Sequence, residues 1–251
     1  MKRIRADELL ALRGLCESRA QAKAVIMAGK VWMESERIDK PGRMLPPDIE
    51  LKVEQPPPFV SRGGQKLAAF LDKFEVSVDN LEVLDLGSST GGFTDCLLQS
   101  GAKGATCVDV GKGQLHGKLR DDERVELREG INVRYLEAKD LPHPLYDLVV
   151  MDLSFISLRK TLENAWRFVR PKGKLVVLVK PQFEATREEA NAGRGVIRDP
   201  VTHRRVVGEI IGFVEERLAQ AQLFGSMESP LKGTAGNVEF LLGWAKSVSG
   251  G

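Results

Sequence analysis

The 251-residue sequence contains only three cysteines, Cys16, Cys96 and Cys107. Their number is odd and their spacing is not that of metal ligands, so they read as reduced, small core residues of a cytosolic protein. Histidine is as scarce. His116, His143 and His203 stand singly, without paired-ligand spacing, and a metal site is not expected. No apolar run is long enough to span a bilayer, and the start, Met1-Lys2-Arg3-Ile4-Arg5-Ala6-Asp7-Glu8, lacks the apolar core of a secretory signal. A cytoplasmic location without membrane attachment is therefore expected. An excess of one charge is also missing: Lys+Arg 37 against Asp+Glu 35 gives no large net field, so any basic surface must come from arrangement. G-x-G-x-x-G and G-x-x-x-x-G-K-[ST] are both absent, which disfavours a dinucleotide fingerprint and a Walker A loop. There are no repeats and no low-complexity tract.

What is present centres on Val83-Leu84-Asp85-Leu86-Gly87-Ser88-Ser89-Thr90-Gly91-Gly92-Phe93. The apolar run 83–86 reads as a buried parallel strand, the small residues after it as a tight turn, and 93–98 as the start of a helix. Such a turn lies at the carboxyl end of its strand, where open α/β sheets bind ligands and glycines let a ligand approach the backbone. An ordinary turn that needs glycine for its dihedrals is the plain alternative. About 20 residues on, a second apolar stretch ends in Asp109, which suits either a carboxylate facing ribose hydroxyls or a cap before Gly111, the spacing favouring the first. Asp85 is placed to meet a cationic ligand or to hold the loop. Together these suit a nucleoside carrying a positive sulfonium better than a polyphosphate.

Strand and helix patterns alternate from residue 61 onward: a helix over 61–74 with Leu67, Phe70 and Leu71 inward, strands over 83–86, 105–110, 125–127, 146–152 and 174–180, and helices over 93–99 and 158–169. This predicts an α/β fold with a mostly parallel sheet. A polar loop over 184–199, carrying Arg187, Arg194 and Arg198, is either a mobile surface loop or a substrate lid. A helix over 201–220 and strands over 223–229 and 238–245 follow, the last pair antiparallel. Trp166, Trp244 and most phenylalanines are expected in the core. Asp152 and Lys180 each close an apolar strand. Strands often end at polar residues, but both would reach the ligand edge of one sheet.

Residues 1–55 read as a small α+β unit. Leu9, Leu10 and Leu12 give a first helix its apolar face, 18–27 forms a second with Ala20, Ala24, Val25 and Met27 inward, and short strands follow over 31–33 and 49–53. Arg3, Arg5, Arg13, Arg19, Lys23 and Lys30 gather around the helices, either as a phosphate-contacting face or as a solvated surface. The proline-rich 56–60 is the expected linker, and 61–251 the second domain.

The stretch from Asp85 to Phe93 resembles the first motif of S-adenosylmethionine-dependent methyltransferases, and more narrowly that of FtsJ-like RNA 2′-O-methyltransferases. Ser61-Arg62-Gly63-Gly64-Gln65-Lys66-Leu67, Met151-Asp152-Leu153-Ser154-Phe155-Ile156-Ser157-Leu158, Val179-Lys180-Pro181-Gln182-Phe183-Glu184 and Gly236-Asn237-Val238-Glu239-Phe240 together resemble the TlyA, or hemolysin A, family. The resemblance implies a Rossmann-like methyltransferase sheet, S-adenosyl-L-methionine as cofactor and RNA, ribosomal RNA first of all, as substrate. It matches the family's Lys-Asp-Lys-Glu pattern to Lys66, Asp152, Lys180 and Glu239. Lys180 is assigned beside the reacting hydroxyl, Asp152 as its partner, and Lys66 with Glu239 as positioning groups. The cofactor is expected along Asp85, Gly87, Ser88, Ser89, Thr90, Gly91, Gly92, Phe93 and Asp109, with Asn132 near the adenine or simply a turn residue. Arg13-Gly14-Leu15, Ser18-Arg19, Ala22-Lys23 and Ala28-Gly29-Lys30-Val31 resemble the alpha-L RNA-binding domain of a ribosomal protein and of pseudouridine synthases, although Trp32-Met33-Glu34-Ser35-Glu36 replaces that family's usual Asn-Gly or Asp-Gly turn. Two other readings stand beside this one: a membrane-active hemolysin, and an RNA-binding assembly factor with an inactive methyltransferase fold.

Overall fold

Leu9, Leu10, Ala22, Ile26, Val31, Ile38 and Leu45 are buried together and make a small core for the first part of the chain. The structure, a computed structural model, describes residues 3–54 and 57–248. It divides into two units, Met1–Pro57 and Pro58–Gly251. In the first, strand β1 (Ile4–Arg5) leads into helix α1 (Ala6–Leu12), then α2 (Arg19–Met27), β2 (Val31–Met33), β3 (Glu36–Arg37), β4 (Met44–Leu45) and β5 (Lys52–Val53). β1 pairs with β4, and β2 lies between β3 and β5, all antiparallel. The Ser18 side chain caps α2 by accepting the Gln21 N–H at 3.2 Å. The β2–β3 turn, without its expected glycine, puts Glu34 at φ 55.

The helix faces differ from the sequence reading. Once the Ser18 cap fixes where α2 begins, Ala22 and Ile26, one turn apart, point inward and Val25 is half-buried, while Ala20, Ala24 and Met27 face solvent. Leu9 and Leu10, with Ala6, carry the apolar inner face of α1, and Leu12 is 72% exposed. The strand expected over 49–53 is only the two residues of β5.

The second unit runs α3 (Arg62–Lys73), β6 (Glu82–Leu86), α4 (Gly92–Gln99), β7 (Gly104–Asp109), α5 (Gly117–Arg120), β8 (Val125–Glu129), β9 (Tyr146–Met151), α6 (Leu162–Trp166), β10 (Val169–Val179), α7 (Pro181–Glu184), α8 (Arg187–Ala192), α9 (Pro200–Arg217), β11 (Ala221–Glu228) and β12 (Phe240–Lys246). Its sheet has the order β11-β12-β10-β9-β6-β7-β8. The run from β10 to β8 is parallel, and β12 is antiparallel to both β10 and β11. Alternate residues of the central strands enter two cores. Leu84, Leu86, Val149, Met151 and Val177 join one, and Val83, Leu148, Val150, Val176 and Leu178 the other, as expected of a sheet covered on both faces.

Three stretches depart from expectation. The helix expected over 158–169 is a 3-10 turn, Leu158–Lys160, then the five-residue α6, before β10 starts at Val169. Asn164 donates to the carbonyls of Val133 and Leu136, tying this short helix to the preceding loop. The expected loop over 184–199 contains α8, closed by a Thr186/Glu189 capping box, and a buried Ile197. Pro58, Phe59 and Val60, read as linker, are part of the second unit: the Pro58 carbonyl accepts from Gln99, Phe59 sits over Gly64, and the Val60 N–H reaches Asp95 at 2.8 Å. Residue 56 of that linker lies outside the described residues.

The chain leaves β6 toward β7 on one side, while β9 and β10 lie on the other. The strand order therefore switches at the β6–β9 boundary, and their carboxyl ends, Leu86 and Met151, are register partners. Gly87 holds this point at φ 86, and an added Cβ would lie 2.8 Å from the Asp152 carbonyl oxygen. Gly87→Ala combines left-handed strain with a backbone clash, so thermal unfolding should show a loss of ~2–4 kcal/mol. An unchanged melting temperature would contradict the close approach of these two loops.

Candidate active site

Asp85 is fully buried at the end of β6. One oxygen, Oδ2, accepts from Thr94 twice, from the N–H at 3.1 Å and from the hydroxyl at 2.6 Å, and so fixes the beginning of α4 against the strand. The other, Oδ1, is buried without a hydrogen-bond partner among the described residues, as is the hydroxyl of Ser88. Both residues line a cavity of about 260 Å³. Burial pushes the Asp85 carboxyl up to about 7, with the nearby Asp152 charge adding to the effect and the Thr94 bonds opposing it.

The same cavity gathers all four charged residues singled out from the sequence. They stand as two ion pairs: Lys66 Nζ to Glu239 Oε2 at 2.5 Å, both buried, and Lys180 Nζ to Asp152 Oδ1 at 2.7 Å. α3 delivers Lys66, β9 and β10 deliver Asp152 and Lys180 at their carboxyl ends, and Glu239 immediately precedes β12. The Lys180–Asp152 contact is close but lies off the hydrogen-bonding angle, since that Asp152 oxygen has no hydrogen-bond partner. Lys180 instead donates to the Ser154 hydroxyl at 2.8 Å. A lysine lining a cavity, beside a carboxylate, is equipped to take a proton from a hydroxyl or to stabilise the resulting oxyanion.

A second cavity, of about 780 Å³, adjoins the first and shares Gly87, Ser89, Asp152 and Ser154 with it. Asp109, Ile131, Asn132, Val133 and Leu153 line it. Asp109 serves as the cap before Gly111, one of the two tasks considered from sequence. Its oxygens accept the N–H groups of Ser89 at 2.8 Å and Gly111 at 2.7 Å, yet the side chain still borders the cavity. Asn132 likewise caps a turn, accepting the Arg134 N–H at 3.0 Å, while lining the wall.

Gly87, Ser88, Ser89, Thr90, Gly92 and Phe93 line the first cavity. Gly91 lines neither. Its φ of 93 and the packing of Leu119, 2.2 Å from where a Cβ would stand, show that its lack of a side chain serves chain packing rather than ligand approach. Gly92 is similar, with Ser61 Oγ 2.1 Å from its notional Cβ. Sequence reasoning did not single out Ser154 or Phe155, although both lie in the quoted stretch after Asp152. Phe155 is 90% exposed at φ 65, an uncommon state for a bulky residue, and lines the second cavity against Phe183.

The basic residues of the first unit fall into two groups. Arg5 and Arg19 both bind the buried Asp7, at 3.0 and 3.1 Å, and hold its carboxyl below the usual range despite the opposing effect of burial. Arg13 donates to the carbonyls of Ile49, at 2.5 Å, and Pro47. These three help to build the fold. Arg3, Lys23 and Lys30 have no side-chain ion pair among the described residues.

The Asp85 carboxyl leads to a pH test. Unfolded it ionises near 3.8 and folded near 7, so between these values the folded state keeps a proton that the unfolded state has lost. Stability therefore falls as pH rises through that window. Asp85→Asn should remove this fall, so its melting temperature should match the parent near pH 4 and exceed it at pH 8, with a gap on the order of 4 kcal/mol at full ionisation. A gap that does not change with pH would mean that Asp85 titrates normally.

Residues 59–246 match the FtsJ-like methyltransferase family, and residues 4–48 match the S4 domain. A Bacillus subtilis protein named "Putative rRNA methyltransferase YqxC" is 45% identical over 244 residues, covering 96% of this chain and 85% of its own length. The Mycobacterium tuberculosis protein named 16S/23S rRNA (cytidine-2′-O)-methyltransferase TlyA is 39% identical over 248 residues, covering 98% of this chain and 91% of its own. Among solved structures, a "Putative hemolysin from Streptococcus thermophilus" superposes with a TM-score of 0.73 at 41% identity, over 99% of this chain and 90% of that one. The sheet order, the loop after β6 and these matches agree: the chain belongs to the FtsJ-like methyltransferase family and carries an S4 domain ahead of its methyltransferase unit.

Proposed function

We propose that this protein methylates a ribose 2′-hydroxyl of RNA, with S-adenosylmethionine as methyl donor and ribosomal RNA as the substrate. The observation that carries the reading is the pairing of Lys180 with Asp152 and of Lys66 with Glu239 in one cavity, beside the loop held by Asp85. The name of the Mycobacterium tuberculosis relative supports the same bond and substrate. The two adjoining cavities fit the cofactor chemically. The unpartnered Asp85 Oδ1 and Ser88 hydroxyl suit its charged amino-acid end, and Asp109 with Ile131, Asn132 and Val133 suits its nucleoside. When bound, the cofactor supplies the activated methyl group.

Lys180 takes the proton of the ribose hydroxyl or holds the alkoxide by charge, and Asp152 balances that charge. Lys66 and Glu239 neutralise each other in the same cavity, a buried pair that shapes it without leaving a net charge in it. The S4 domain adds phosphate contacts through Arg3, Lys23 and Lys30. The membrane-active alternative draws on the word hemolysin in relatives' names. Among the described residues, no helix is long and apolar enough to cross a membrane. A scaffold that has lost catalysis would have no need to keep two charged pairs converging on one cavity.

Lys180→Ala should lower single-turnover methylation at saturating cofactor and RNA by at least ~10²-fold while both still bind, because proton-transfer catalysis contributes ~10²–10⁴-fold. Lys180→Arg should recover little, since guanidinium keeps the charge but does not act as a base. A Lys180→Ala rate within a fewfold of the parent would remove this lysine from the mechanism. For RNA binding, the combined Lys23→Glu and Lys30→Glu variant should lose affinity and flatten its dependence on salt without a change in melting temperature. An unaltered salt slope would place the phosphate contacts elsewhere.

A further inference from the structure

The loop after β9 meets the segment after β10 at several points, two of which bear on Lys180. Phe155 packs its ring on Phe183 with centroids 5.2 Å apart, and the Ser154 hydroxyl accepts a hydrogen bond from Lys180 Nζ at 2.8 Å. Ser154 also lies where the two cavities join, since it lines both. A lysine ammonium has three protons that rotate about one bond, so fixing one N–H fixes where the other two point. Asp152 Oδ1, 2.7 Å from the amine, balances its charge but makes no hydrogen bond with it, so the directional contact on the amine is the one to Ser154. Among the described residues, Ser154 is the group that makes a hydrogen bond with the amine.

We propose that Ser154 is a positioning residue: its hydroxyl holds the Lys180 amine in the rotation that faces the methyl acceptor at the junction of the two cavities. This rests on the role given to Lys180 above. Asp152 sets the charge environment of the lysine, and Ser154 sets its direction. The positive φ of Phe155, at 65°, holds the turn that presents Ser154, and the Phe155–Phe183 contact joins that turn to the segment following Lys180. The hydroxyl itself neither gains nor loses a proton in this role, so no added covalent step is involved.

The test is a double-mutant cycle on the full-length protein, read as single-turnover methylation of RNA with labelled S-adenosylmethionine. Ser154 is exposed, so Ser154→Ala should fold, and its melting temperature and cofactor affinity should match the parent. Its rate should fall by ~10–100-fold, the value of a hydrogen bond to a charged group, with the KM for RNA unchanged. In a Lys180→Ala background the same change should alter the residual rate by less than about twofold, and Ser154→Thr should restore most of the parental rate. An equal loss in both backgrounds, a loss confined to KM, or no loss at all would each overturn the proposal. A failure of the functional reading would appear separately, as a parent protein that does not methylate RNA or as a Lys180→Ala variant with the parental rate.

Discussion

A single buried carboxylate controls the geometry from which the rest of the methyltransferase unit follows. Asp85, next to last in β6, grips both the N–H and the hydroxyl of Thr94, so the loop between them must turn within a few residues and α4 must start where it does. Burying that carboxylate is unfavourable, and the response is a raised pKa rather than a counter-ion. Its free oxygen is left at the cavity wall. The residue that organises the loop thus leaves one oxygen available to a ligand. The glycines serve the same constraint, because Gly87, Gly91 and Gly92 let neighbouring chain segments close in where a Cβ would collide.

Much of this was legible in the sequence, for reasons that can be named. Strands buried on both faces read as continuous apolar runs, so β6, β9 and β10 stood out, and the polar residues closing them, Asp152 and Lys180, could be placed at one edge before any coordinates. The antiparallel final pair was legible from its two apolar stretches near the end of the chain. The short elements were less legible. The five-residue α6 depends on Asn164 reaching two distant carbonyls, and α8 on a capping box within a stretch whose charge suggested a loop. In the first unit the apolar face of α2 was misread because small residues such as Ala20 and Ala24 fit either side of a helix. Only the cap at Ser18 settles which side turns inward.

The charged residues that stood out in the sequence meet in one cavity, and the quiet ones beside them did not stand out. A lysine and an aspartate at strand ends attract notice in any sequence. A serine two residues after the aspartate does not, and its hydrogen bond to Lys180 depends on a turn that runs through the left-handed Phe155. The basic residues of the first unit show what charge alone leaves out. Charge alone grouped six together, whereas the buried Asp7 draws Arg5 and Arg19 into the fold and two backbone carbonyls draw in Arg13. Whether an arginine is spent on structure depends on distant partners that composition does not reveal.

The central claim is that the paired lysines and carboxylates act on a ribose hydroxyl. The most direct measurement is the chemical position of the methyl group: ribosomal RNA is incubated with the purified protein and isotopically labelled S-adenosylmethionine, digested to nucleosides and resolved by mass spectrometry. The account predicts label on the ribose of a 2′-O-methylnucleoside, with the adjacent phosphodiester made resistant to alkali. Label on a base, or no label transferred to RNA by the intact protein, would contradict it.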